Sequence, residues 1–217
     1  MHRLQKAGGF AALIEAMLYV IGFAVMATVL NPGETDGWDA AQRLAFVLER
    51  KAFFQAWTTL IYVVFGIVLV VLSVALHERL RNTSTGLMQV ATSFGLIWSG
   101  LVIASGMVGS VGLETVASLY SQDPAQALSA WIAIGAVQNG LGGGVEIVGG
   151  LWVLLISLAA LSSQALSRAL AYFGFIVGIA GILTIAPPLA ELGAVFGLGQ
   201  IAWFAWVGMS MLRRPHY

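Results

Sequence analysis

Residues 131–161 read WIAIGAVQNGLGGGVEIVGGLWVLLISLAAL, and Glu146 is the only charged side chain among them. About 20 mainly apolar residues suffice for a helix to cross the hydrocarbon core of a bilayer, so this stretch is expected to be a membrane helix. An ionisable group inside such a helix is expensive, which makes Glu146 a candidate functional residue by default.

The rest of the chain has the same character. Of 217 residues, 59% are apolar and 9% charged, against roughly 45–50% and about 25% in soluble domains. The formal net charge is zero, so there is no basic face for nucleic acid. Cysteine is absent, which removes disulfides, thiolate metal sites and cysteine nucleophiles.

Uncharged runs between charged residues place six spanning helices near 8–30, 53–76, 87–110, 131–160, 168–187 and 192–212, forming one all-α, six-span transmembrane domain over 1–217. The first is preceded by Arg3 and Lys6 as a secretory signal would be. Its apolar run of 23 residues is longer than a signal core of about 7–15, so it is expected to stay as an anchor. With six spans both termini share a side. Arg3, Lys6, Arg79, Arg81, Arg168, Arg213 and Arg214 fall on that side, and Arg43, Arg50 and Lys51 on the other. The excess of basic residues assigns the termini to the cytoplasm. The expected location is therefore the cell (inner or plasma) membrane, as a multi-pass protein.

Between the first two spans, residues 31–33 (Asn-Pro-Gly) stop a helix and Asp36 or Asp39 can cap another. Trp38, Ala41, Leu44, Ala45 and Leu48 recur at helical spacing. This predicts an interfacial amphipathic helix near 38–50 on the outer surface, followed by an aromatic belt of Phe53, Phe54 and Trp57. Pro187 and Pro188 end the fifth span, and a tight turn makes spans five and six a hairpin.

Read as one helix, the fourth span puts Gly135, Asn139, Gly142, Gly143, Glu146, Gly149 and Gly150 along one side. Small residues let helix backbones approach closely in lipid, so these glycines are read as packing positions and Glu146 as facing the bundle. No Lys or Arg lies inside a span, and by helical rise Glu146 is roughly 20 Å from either end of its helix. An unpaired carboxyl there is expected to be protonated at neutral pH, unless a water-filled cavity or a bound cation serves it. Three roles stay open: a structural hydrogen bond to Asn139, Tyr19 or a carbonyl, a proton or cation site, and recognition of a polar ligand. Glu15, in the first span, lies about 10 Å from the cytoplasmic end and is expected within reach of water. Gln200 is the polar side chain of the sixth span. Glu15 and Glu146 each occupy the first helix of a three-helix half, the layout of inverted-repeat transporters.

Other membrane chemistries lack their residues. Haem held by histidine needs His within spans, yet His2, His77 and His216 are expected in tails or loops. Retinal needs an intramembrane Lys, and all three Asp lie on the outer side. No H-E-x-x-H motif occurs, and Ser105 has no nearby His. No catalytic residue, metal or cofactor is therefore assigned. The expected partners are the lipid bilayer and either a second copy or a membrane subunit. Two functions follow: a small transporter or ligand-binding protein using Glu146, or a non-catalytic scaffold packed through glycine-rich faces.

Residues 142–161 (GGGVEIVGGLWVLLISLAAL), 174–189 (GFIVGIAGILTIAPPL), 193–214 (GAVFGLGQIAWFAWVGMSMLRR) and 43–76 (RLAFVLERKAFFQAWTTLIYVVFGIVLVVLSVAL) together resemble an uncharacterised bacterial and archaeal family of six-span integral membrane proteins catalogued as a domain of unknown function. The resemblance implies a fold and a membrane location. It brings no catalytic residues.

Overall fold

A computed structural model describes residues 2–29, 37–163 and 165–213. The helix stop expected at 31–33, the acidic residues Glu34 and Asp36, and Arg214 and His216 lie outside them, as does the side chain of His2. All regular structure among the described residues is helical. The elements are α1 (His2–Thr28), α2 (Ala40–Glu49), α3 (Lys51–Thr58), which passes through a π-helical stretch at Thr59–Val64 into α4 (Phe65–Leu80), α5 (Thr85–Tyr120), α6 (Pro124–Gln138), a second π-helical stretch at Asn139–Gly143, α7 (Ile147–Ser163), α8 (Arg168–Leu183), a 3-10 turn at Pro187–Leu189, and α9 (Leu192–Leu212).

Among the described residues five helical stretches are long and apolar enough to cross a membrane: Arg3–Thr28, Lys51–Leu80, Thr85–Tyr120, Pro124–Ser163 and Leu192–Leu212. α8 is apolar but has only 16 residues, about 24 Å at the helical rise. The long α5 corrects the expectation of a span near 87–110 followed by a loop. No residue in 111–120 breaks a helix, so it continues to Tyr120. Asp123 then starts α6, its carboxylate accepting from the N–H groups of Ala125 and Gln126 at 3.0 Å each. The span expected at 131–160 is likewise not one helix: α6 and α7 are separate, with residues 144–146 between them.

α1, α4, α5, α7, α8 and α9 pack as a closed ring in that order, with α9 returning to α1 and α6 outside against α5. Their sides are apolar nearly all round, so facing is set by steric fit more than by polarity. At the α1–α9 contact a Cβ on Gly208 would come within 2.9 Å of the Gly9 carbonyl oxygen. Inside the ring sits an aromatic core: Phe65 and Trp98 centroids are 5.5 Å apart, Trp98 and Trp152 5.7 Å, and Trp152 and Trp203 5.5 Å.

The two ends of the bundle are tied differently. At the end where α1 begins and α9 finishes, the Arg79 guanidinium donates to Gln5 Oε1 (3.0 Å), the Ala165 carbonyl (3.0 Å) and the Ser210 carbonyl (3.3 Å). One side chain thus joins α4 to α1, α9 and the α7–α8 turn. At the distal end, α2 starts with a capping box in which Asp39 and Gln42 bond each other's backbone at 2.8 and 2.9 Å. Its Leu44 is fully buried against Val116 and Ala127, which fastens α2 to α5 and α6. Nearby, Lys51 Nζ donates to Glu114 Oε1 at 2.8 Å.

Candidate functional site

The segment Gly140–Leu141–Gly142–Gly143–Gly144 carries the break. Gly142 has φ +106° and ψ 24°, a left-handed conformation that glycine adopts without the steric cost of a Cβ. The N–H groups of Gly144 and Val145 both return to the Asn139 carbonyl, that of Val145 at 3.2 Å. The Glu146 N–H donates to Thr184 Oγ1, at the end of the adjacent α8, at 2.8 Å, and the Thr184 hydroxyl donates onward to the Gly181 carbonyl at 2.7 Å. The Glu146 carbonyl then accepts the first α7 bond, from Gly150 N–H, at 2.8 Å. A helix interrupted within a membrane must find partners for its freed backbone groups. A hydroxyl from the neighbouring α8–α9 connection is one such partner here.

α7 is held in register by contact with α8. A Cβ on Gly150 would lie 2.6 Å from both the Gly178 carbonyl oxygen and the Ile182 nitrogen, so only glycine permits this approach. Gly149 faces Trp98 and Phe196.

Glu146 therefore sits at the start of α7, where the unpaired N–H groups of a helix N-terminus favour negative charge. Beside it is a cavity of about 140 Å³ among α1, the π-helical stretch of the second span, α5 and the break. Its polar edge is formed by Glu146, Tyr19 and Tyr62, each half-buried. The Tyr62 hydroxyl lies 3.3 Å from where a Cβ on Gly143 would stand. Trp57 and Trp98 also line the cavity, and their buried Nε1–H groups have no acceptor among the described residues. The remaining wall is apolar, and no Lys or Arg lines it among the described residues.

Of the residues singled out in the sequence, Glu146, Tyr19, Gly142 and Gly143 come together at this cavity. Asn139 does not join them: its side chain is exposed, and it contributes through its backbone carbonyl. Gln200 is fully buried in α9, and neither end of its amide has a partner among the described residues. Glu15 is also fully buried, with both carboxyl oxygens unpaired among the described residues. The expectation of water around Glu15 is thus corrected, because α1 is sealed there by α4 and α9. α1 is continuous through Glu15, so the break at Glu146 has no counterpart in the first half. Gly135 faces open space. Ser105 bonds the Gln138 carbonyl at 3.2 Å while Gln138 returns a bond to the Ser105 carbonyl at 3.3 Å, which pairs α5 with α6.

Sequence reasoning missed Tyr62, Trp57, Trp98 and Thr184 as parts of the site. Tyr62 did carry a signal, since it is a hydroxyl midway along an uncharged run. Trp57 had been assigned to the aromatic belt, and Trp98 and Thr184 had no distinguishing signal. No group of three or more His, Cys, Asp or Glu side chains arranged to hold a metal occurs among the described residues.

Residues 7–211 match the family described as Domain of unknown function (DUF4386), and the chain belongs to that family. No curated protein and no solved structure matches the chain.

Proposed function

We propose that this DUF4386 member is a six-span protein of the cell membrane with both termini in the cytoplasm, acting as a small transporter or ligand-binding protein at the cavity beside Glu146. The reading rests on one coincidence: the only charged residue of the span 131–161 lies where the helix is broken and where a cavity opens. Discontinuous helices that set backbone dipoles and a carboxyl at a membrane-depth site are the device of many transporters. α8 supplies the sixth span together with residues 184–189, and α2 lies at the outer interface with the lipid headgroups.

Glu146 is the group that exchanges a proton or meets a polar ligand, with Tyr19 and Tyr62 as its neighbours. Gln200 and Glu15, which are buried and do not line the cavity, serve the packed interior. The scaffold reading draws support from the close fit of Gly150 to α8, but that fit is spent within the chain and leaves the cavity unexplained. Association with a second copy or a partner subunit is compatible with either role.

The test is reaction with a hydrophobic carbodiimide, which modifies protonated carboxyl groups in membranes, in the purified protein reconstituted in lipid. Mass spectrometry should find Glu146 labelled and Glu15 untouched. A Glu146 left unlabelled even at acidic pH, where an accessible carboxyl is protonated, would mean a dry interface and would end the proposal. Single cysteines at Thr83 and Ser121, introduced into a chain that has none, should label from opposite faces. Labelling from one face would refute the topology.

A further inference from the structure

We propose that the cavity receives a small alkylammonium group, a ligand class that deepens the ligand-binding reading above and rests on it. Two features of the lining lead there.

The first is charge. Among the described lining residues Glu146 is the one carboxyl, and no Lys or Arg balances it. A cation brought in by the ligand would supply the missing partner, and the N-terminus of α7 would favour the carboxylate form facing it. The second feature is the wall. Of the fourteen described lining residues, six are aromatic, namely Tyr19, Phe23, Trp57, Tyr62, Phe65 and Trp98, whereas aromatics make up 11% of the chain. Aromatic faces attract alkylammonium ions electrostatically and also accept their methyl groups, which a metal ion or a hydrated inorganic cation cannot exploit.

Volume limits the size. At about 140 Å³ the cavity is close to the roughly 150 Å³ that holds one benzene molecule in an engineered protein cavity. That is room for tetramethylammonium or choline and for little more. The same group occurs free in solution and at the end of a phospholipid, and both sources present identical chemistry to the cavity.

Isothermal titration of the full-length protein in a non-ionic detergent, with tetramethylammonium, choline and the neutral isostere of choline in which carbon replaces nitrogen, separates the alternatives. The expected result is that tetramethylammonium and choline both bind, with the isostere at least about tenfold weaker than choline. Glu146→Gln should abolish the preference for cation over isostere. Trp57→Leu should weaken all three probes while retaining that preference, and it keeps the proposal testable if Glu146→Gln does not fold. Repeating the choline titration in discs of phosphatidylglycerol and of phosphatidylcholine identifies the source. Weaker binding in phosphatidylcholine indicates a lipid headgroup as the occupant, and equal binding indicates a free molecule. Equal affinity for choline and its isostere, or preference for a small carboxylate, would overturn the ligand class while leaving a binding cavity in place. No binding by any probe would overturn it too, and carbodiimide labelling of Glu146 then reports separately on the function itself.

Discussion

Replacing Gly150 by Ala tests how the broken helix is held. The added Cβ would lie 2.6 Å from the Gly178 carbonyl oxygen, 2.6 Å from the Ile182 nitrogen and 2.9 Å from the Gly181 carbonyl carbon, and ordinary contact begins near 3.4 Å. All three obstacles are backbone, so no rotamer change relieves them. α7 and α8 must separate by a large part of an ångström at their crossing. Overpacking of this kind costs about 1–3 kcal/mol. Three backbone obstacles under 3.0 Å put the cost in the upper part of that range, about 2–3 kcal/mol, and alanine returns up to about 1 kcal/mol in helix propensity, leaving a net loss of about 1–3 kcal/mol. The displacement also pulls Glu146 from Thr184, because Gly150 is bonded to the Glu146 carbonyl. Gly135→Ala is the control: its Cβ would meet nothing within 4 Å, so it should be neutral or stabilising by up to about 1 kcal/mol. Unfolding by dodecyl sulfate in mixed micelles, followed by tryptophan fluorescence, measures both. A Gly150→Ala protein as stable as the parent, or a Gly135→Ala protein equally damaged, would refute the steric argument.

Three further substitutions probe other parts of the same frame. Thr184→Val keeps shape but leaves the Glu146 N–H without its acceptor, at a cost of about 1–3 kcal/mol. Thr184→Ser should lose less in the same unfolding assay, and equal losses would exclude the hydroxyl as the cause. Gly142→Ala forces a side chain into φ +106° and should destabilise by about 1–2 kcal/mol, with a change in carbodiimide reactivity of Glu146 as the break rearranges. An unchanged protein would show that the left-handed turn is not required. Arg79→Ala removes the donor to Gln5, Ala165 and Ser210 and should cost about 1.5–3 kcal/mol. Arg79→Lys should recover only part of this, because an ammonium cannot span three acceptors as the planar guanidinium does. Full recovery by lysine, read as thermal stability in detergent, would contradict the geometry.

Much of the helical layout was readable in advance because its signals are local. Asp39 and Asp123 precede helices as capping residues should. The charged residues bounding each apolar run lie near the helix ends they suggested, except beyond residue 110, where nothing stops α5. Glu146 stood out because its energetic problem does not depend on what surrounds it. The helix break was harder to see. Glycines at 140 and 142–144 are equally suited to close helix packing and to a left-handed turn, and only the spacing required by α5 and α8 selects the turn. Asn139 was misassigned to the site for the same reason, since a facing computed along an unbroken helix does not survive a π-helical stretch and a reversal of φ.

The sequence by itself determined that this is a helical chain built for a bilayer, with one carboxyl placed where a span can least accommodate it. It also excluded chemistry that depends on cysteine, because absent residues cannot be restored by folding. The tertiary structure decided which side chains meet. Helices apolar on every side carry little periodic information about facing, and small-residue fits such as Gly150 against α8 set the rotations. Those rotations bring Tyr19, Tyr62, Trp57 and Trp98, from three different helices, to the break at Glu146. A cavity arises from imperfect fit among several helices at once, and no single segment of sequence encodes it.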